Sequence, residues 1–211
     1  MGKLIYFPLY GRAEHVRMLL NHAGVKFEEE NISMADWPTR KAEFPSGQLP
    51  IWIDDDGCAL NQSIAILNAL ARQHGYSPVG FHGEWANSWV SETIADYGSK
   101  GFVSNLFKPE VSEETVKAWT VEHIKLNKTF EDHLAKKATK FLAGDKPTAS
   151  DFHLFSFVTG IPLNEVKKHA NVSDALAATH GTDATPHLNA WVETMKEELK
   201  DYLANRPKCF L

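Results

Sequence analysis

A tyrosine and an arginine six positions apart, Tyr6 and Arg12, begin the chemistry of this chain in the run YFPLYGRAE. Tyr6 stands near the end of an apolar run, KLIYF, and Arg12 opens the amphipathic run that follows. A phenol donates one hydrogen bond and a guanidinium carries a fixed charge. A helix N-terminus adds unpaired amides and a positive dipole. A strand-to-helix junction with these residues can therefore stabilise an anion. A cysteine-based redox enzyme would put its thiol there, and neither cysteine, Cys58 or Cys209, falls at the junction. Read alone, Tyr6 also fits a core aromatic and Arg12 a surface charge.

Three further clusters follow. Trp37 and Lys41 lie in DWPTRK, a polar stretch with no clear period, where an indole N–H and an ammonium are free to meet an acceptor or to serve packing and solvation. In GQLP, Pro50 opens an apolar strand, a position at which a proline is tolerated and which is compatible with a cis bond, although trans at a sheet edge is the usual state of an X-Pro bond. A cis Leu49–Pro50 bond would turn the Leu49 amide and carbonyl outward, towards an extended peptide, with Gln48 beside them. In LNQS, Gln62 and Ser63 precede the apolar helix pattern IAILNAL. Ser63 reads as its N-cap, and the first-turn amides also suit a carboxylate.

These residues need elements to hold them. The spacing predicts a strand over 3–7, a helix ended by Gly24, and a strand over 26–32 anchored by Phe27 and Ile32. An irregular stretch runs over 33–48. Two strands joined by DDDG follow, and then a helix ended by Gly75. Strand-helix-strand, loop, strand-strand-helix is an α/β order similar to a thioredoxin-type half-domain. Residues 76–83, rich in Gly and Pro, read as a linker, and residues 84–211 as all-helical. Long helices are expected over 84–106 and from Ser112. Another follows Thr148 with Asp151 at capping-box spacing, and the last is broken near Lys200.

The bulk numbers exclude more than they assign. The 211 residues carry a net charge of −5, so there is no basic footprint for nucleic acid. No apolar run approaches the roughly 18 residues of a membrane span, and the N-terminus lacks the apolar core of a secretory signal. With two cysteines and no CxxC, a reduced, cytoplasmic setting is expected. The ten histidines show no metal-ligand spacing, and no phosphate loop or nucleophile elbow is present, so no metal is expected.

In this order, the runs YF…GRAE, DWP…K, GQLP, LNQSIAI, TIADY and PTASDFHLF resemble the cytosolic glutathione transferases over nearly the whole chain. The likeness is to the tyrosine-type members, nearest the sigma class, with mu and pi as neighbours. It implies a thioredoxin-like glutathione-binding domain over 1–75 and an all-helical domain over 84–211 that helps form the electrophile site. Tyr6 matches the catalytic tyrosine, which donates to the sulfur and favours thiolate. Arg12 matches the arginine that supports that thiolate. Trp37 and Lys41 match the residues holding the glycine carboxylate. Gln48, Leu49 and Pro50 match the pair and cis proline that meet the cysteinyl unit, and Gln62 and Ser63 match the γ-glutamyl carboxylate site. Asp96 matches the acid that reaches the γ-glutamyl amine of the neighbouring subunit, which implies a homodimer. Rough alignment puts Leu9, Tyr10, Phe102, Val103 and His153 at the electrophile pocket.

There are departures. Pro8, Leu9 and Tyr10 make the first loop more apolar than in many sigma members, and Tyr10 is a rival hydroxyl near the thiol. Ala95 and Asp96 stand where sigma-type prostaglandin isomerases often have two acids. The stretch SDALAATHGTDATPH is longer and more polar than the likeness leads one to expect. The resemblance implies conjugation of glutathione to small hydrophobic electrophiles, as in detoxification. The alternatives are a glutathione-dependent isomerase of the prostaglandin D synthase kind, or a non-catalytic, crystallin-like relative.

Overall fold

The computed structural model describes residues 1–44, 46–137 and 139–211. Pro45, in the stretch expected to be irregular, lies outside them.

The first half is built as the periodicity requires. Strand β1 (Lys3–Tyr6) is buried from Leu4 onward. A 3-10 turn (Gly11–Ala13) leads into α1 (Glu14–His22), and β2 (Glu28–Asn31) returns parallel to β1. The short helix α2 (Trp37–Arg40) precedes β3 (Ile51–Ile53), β4 (Ala59–Asn61) and α3 (Ser63–His74). The sheet order is β2-β1-β3-β4, with β3 antiparallel to both of its neighbours. The strands are shorter than expected, β1 ending before Phe7 and β2 holding only Glu28–Asn31. Phe27 and Ile32 lie just outside β2, Ile32 is buried, and Phe27 packs on Trp52. The edge strand itself carries Glu28, Glu29 and Glu30, charges that discourage pairing with another chain.

The helical half starts earlier than expected. Helix α4 (Gly80–Ser99) begins inside the stretch read as a linker. Gly83, read as a loop residue, is buried in its first turn, where an added Cβ would come within 3.0 Å of Pro78. Nor does one helix run over 84–106. Gly101, at φ +74°, turns the chain, and a 3-10 segment (Val103–Phe107) follows. Helix α5 (Glu113–Lys136) is capped by Ser112, whose side chain accepts from the Thr115 amide. Helix α6 (Ala149–Gly160) carries the expected capping box between Thr148 and Asp151. Helices α7 (Ala170–Ala177), α8 (Pro186–Glu198) and α9 (Lys200–Asn205) complete the bundle, with the break at Leu199 as expected.

The polar stretch before α8 is tied to α5. Asn127 Nδ2 donates to Thr179, His123 meets His180 at 3.0 Å, and Glu131 accepts from His187 Nδ1 and the Leu188 amide. One apolar core runs through both halves, since Leu4, Val16 and Leu67 belong to the same cluster as Phe130, Phe155 and Trp191. Among the described residues, no helix is long and apolar enough to cross a membrane.

Candidate active site

The loop between β1 and α1 is shaped around the Tyr6 hydroxyl. Tyr6 is 6% exposed, and its oxygen accepts the Arg12 backbone N–H at 2.9 Å. Gly11 makes the approach feasible. It sits at φ +43°, and a Cβ there would fall 2.6 Å from the Tyr6 oxygen. Burial raises the Tyr6 pKa above its usual 10.0, while the Arg12 amide and the Arg12 and Arg17 charges pull the other way. The group is therefore a neutral phenol at physiological pH. Its oxygen is occupied as an acceptor and its proton is available to an anion.

Beside this loop lies a cleft of about 220 Å³ lined by Arg12, Trp37, Gly47, Gln48, Leu49, Pro50, Gln62 and Ser63. Residues drawn from four separate stretches of the sequence thus share one concavity. The Leu49–Pro50 bond is cis. Gln62 Nε2 donates to Gln48 Oε1 at 3.2 Å, so the two glutamines form one wall. Trp37 forms another, stacked on Phe44 at 5.9 Å and edge-on to Phe7 at 5.8 Å. Lys41 is exposed at the rim, with its methylenes running past Gly47.

Ser63 is not the cap of α3. The cap is Gln62, at φ 66°, and Ser63 is the first helical residue. The Gln62 carbonyl accepts the Ile66 amide at 2.9 Å, so the left-handed turn at Gln62 swings the chain into the helix. A non-glycine residue held at positive φ is costly, and such strain clusters at binding sites. The consequence is that Ser63 and the first-turn amides are spent on no cap and line the cleft.

His15, which sequence reasoning passed over, supports this corner. Its Nε2 lies 3.3 Å from the Ser63 carbonyl, and its ring packs edge-on to His153 at 5.0 Å. Burial lowers its pKa to about 4, with the Ser63 carbonyl opposing, so the ring is neutral and can donate from Nε2. Nothing in the helical period of α1 distinguishes His15 from a core residue.

The five residues assigned to an electrophile pocket are not brought together. Leu9 and Tyr10 line a groove of about 820 Å³ between β2, α1 and α9. Tyr10 is held there by the Arg206 guanidinium, 4.1 Å above its ring, and by its amide bonding to the Leu211 carbonyl. Phe102 stacks on Trp119 at 5.6 Å, Val103 starts the 3-10 segment, and His153 contacts His15 and Ser91 Oγ. Asp96 is exposed on α4.

Comparison with known proteins agrees with this geometry. The family description "Glutathione S-transferase, C-terminal domain" matches residues 98–206, and "Glutathione S-transferase, N-terminal domain" matches residues 12–73. The chain belongs to the glutathione S-transferase family. It is 30% identical to "Probable glutathione S-transferase 6" of Caenorhabditis elegans over 97% of this chain and 96% of that protein. It is 31% identical to "Hematopoietic prostaglandin D synthase" of Gallus gallus over 90% of this chain and 94% of that protein. Among solved structures, the glutathione S-transferase of Ascaris lumbricoides superposes with a TM-score of 0.83 at 27% identity, covering 100% of both chains.

Proposed function

We propose that the protein is a glutathione transferase that conjugates the glutathione thiolate to small hydrophobic electrophiles. The observation that carries this reading is the neutral Tyr6 phenol, fixed by the Arg12 amide beside a cleft lined by residues able to meet a peptide and its carboxylates. Bound glutathione would lay its cysteinyl unit along the Leu49 backbone. Its γ-glutamyl carboxylate would meet Ser63 and the α3 N-terminus, and its glycine end would meet Trp37 and Lys41. Tyr6 O–H would then donate to the sulfur. A hydrogen bond to the charged form lowers a pKa, so the thiolate, the nucleophile in conjugation, gains at neutral pH. Arg12 adds positive charge on the same side.

We further infer a tyrosine-type, sigma-like member, cytoplasmic, with a domain division close to residue 76. A homodimer fits the exposed apolar residues Val79, Phe81 and Trp85 at the start of α4 and Val121 and Ile124 on α5. Asp96 would then reach the partner's glutathione. The decisive experiment is retention on immobilised glutathione combined with one conjugation assay. Binding and turnover are expected, and a protein that binds without turning over would be a non-catalytic relative.

The avian relative's name gives a second reading, a glutathione-dependent prostaglandin isomerase. A prostaglandin endoperoxide assay separates the two, with conjugation and no isomerisation expected.

A further inference from the structure

A buried charge network joins the last residues of the chain to the Tyr6–Arg12 loop. Arg206 Nη1 lies 2.8 Å from Glu14 Oε1, with both side chains almost fully buried. The other Glu14 oxygen lies 3.4 Å from Arg17 Nη1. Arg17 Nη1 donates to the carbonyls of Leu9, at 2.9 Å, and Tyr10, at 3.2 Å. Its Nε and Nη2 are anchored by Glu29 on β2. Arg206 also covers the Tyr10 ring, and the Leu211 carbonyl accepts the Tyr10 amide. Leu9 and Tyr10 are thus gripped on their carbonyls by Arg17, and Tyr10 also by the C-terminal strap.

We propose that Arg206 is a positioning residue for glutathione activation. By clamping Glu14 and the Tyr10 ring, it holds the loop that keeps the Arg12 N–H on the Tyr6 oxygen. The inference rests on the function proposed above. Its physical basis is that an ion pair so deeply buried is poor evidence for stability alone. Solvated partners would serve folding as well, whereas a rigid, planar guanidinium can grip a carboxylate and cover an aromatic ring together. The loop has little freedom to spare, because a Cβ at Gly11 would already fall 2.6 Å from both the Tyr6 oxygen and Leu9 Cδ1. A small displacement of Tyr10 carries Gly11 and the Arg12 amide with it. Without that amide the phenol becomes a weaker donor to sulfur, while the carboxylate contacts that bind glutathione stay in place.

The test uses Arg206→Met, with Arg206→Lys as the conservative variant. Glu14→Gln/Arg206→Met is added because removing the cation alone leaves Glu14 buried and unpaired. Two readouts are taken on folded protein: amide hydrogen exchange over residues 9–13, and the pH titration of the bound thiol followed by thiolate absorbance. Exchange is expected to speed up in Arg206→Met and in the double variant. The thiol pKa is expected to rise by about half a unit, with glutathione affinity within about twofold and partial recovery in Arg206→Lys. Wild-type exchange in both apolar variants, or faster exchange with a wild-type thiol titration, overturns the inference. Tyr6→Phe is the control. If wild type and Tyr6→Phe titrate alike, the activation reading fails instead, and loop exchange alone decides the clamp.

Discussion

Two clusters of polar groups occupy the two halves of this protein, and they are built in opposite ways. Asp151, at the start of α6, is fully buried with both oxygens engaged. It accepts from the Leu142 amide, Trp191 Nε1, the Thr148 amide and Thr148 Oγ1, all within 3.0 Å. Burial raises its pKa and these bonds oppose that rise. The cleft beside Tyr6 is the reverse. Arg12 and Gln62 are exposed, Ser63 is half-buried, and the α3 N-terminus is turned outward by the strained Gln62. A buried polar group must find its partners within the chain. Polar groups at the mouth of a cleft are free to find them in a ligand. The helical cluster spends its hydrogen bonds on folding, and the cleft keeps its own for something else.

Acid should separate the two most widely. In the helical half, burial lowers the pKa of His180 to about 4 and of His123 to about 3, from 6.5. His123 donates or accepts at the Tyr97 hydroxyl and at His180, and the second nitrogen of His180, Nδ1, is buried without a partner among the described residues. A folded pKa below the unfolded value means that the unfolded chain takes up protons first as pH falls. Stability is therefore full above about pH 6.5 and is lost towards pH 4. By pH 5 the loss is about 1–2 kcal/mol per imidazole. Denaturant midpoints against pH measure it. Glutathione affinity of the protein still folded should stay flat down to about pH 5, since no histidine lines the cleft and His15, which holds the Ser63 carbonyl, is still neutral there. A parallel fall would mean that the halves are not so divided.

Asp151→Ala is the next largest. It leaves the Leu142 and Thr148 amides and the Trp191 indole N–H without their acceptor, at a cost of about 3–5 kcal/mol. Thermal or denaturant unfolding reads this loss. The glutathione affinity of the folded fraction is expected to remain within about twofold. A tenfold weaker site would place Asp151 in the binding machinery and break the comparison.

Tyr6→Phe should give the converse result. It removes a hydrogen bond to a charged sulfur, about 2 kcal/mol, and so lowers kcat/KM roughly 30-fold at neutral pH. Glutathione affinity and the unfolding midpoint should barely move, because the ring keeps its packing. The deficit should shrink as pH rises through the thiol's own titration, where the sulfur ionises without help. A loss that is constant with pH would remove Tyr6 as the activator.

What the sequence revealed follows the same division. Turns and junctions were legible because they depend on local chemistry: the Ser112 cap, the Thr148–Asp151 box, and the placing of Tyr6 at a strand end and Arg12 at the helix that follows, whereas the cis state of Pro50 was implied by the family resemblance. The cleft residues were legible only as an ordered set, since each alone also fitted a packing, capping or surface role and the family resemblance joined them. The start of α4 was misread because two glycines suggest a loop, although Gly83 suits a helix turn where Pro78 packs close. The Arg206–Glu14 pair spans 192 positions, and no local pattern announces it. The residues assigned to the electrophile pocket take separate partners for a related reason. Tyr10 belongs to the C-terminal strap and Phe102 to the Trp119 stack, choices made by packing partners that spacing does not encode.

Ser63→Ala gives the smallest effect and the finest test of the cleft. Ser63 stands at the first position of α3 and caps nothing, so removing its hydroxyl should leave the helix intact. Its carbonyl, which His15 holds, is unchanged by the substitution. The loss should therefore fall on the ligand alone. One hydrogen bond to a carboxylate is about 1–1.5 kcal/mol, or roughly tenfold in the dissociation constant for glutathione. kcat should stay close to wild type, because this contact is equally strong in the ground state and the transition state. Calorimetric titration with glutathione, alongside the unfolding midpoint, distinguishes the outcomes. A lower midpoint with unchanged affinity would make Ser63 a structural residue after all, and would leave the strain at Gln62 without the ligand that accounts for it.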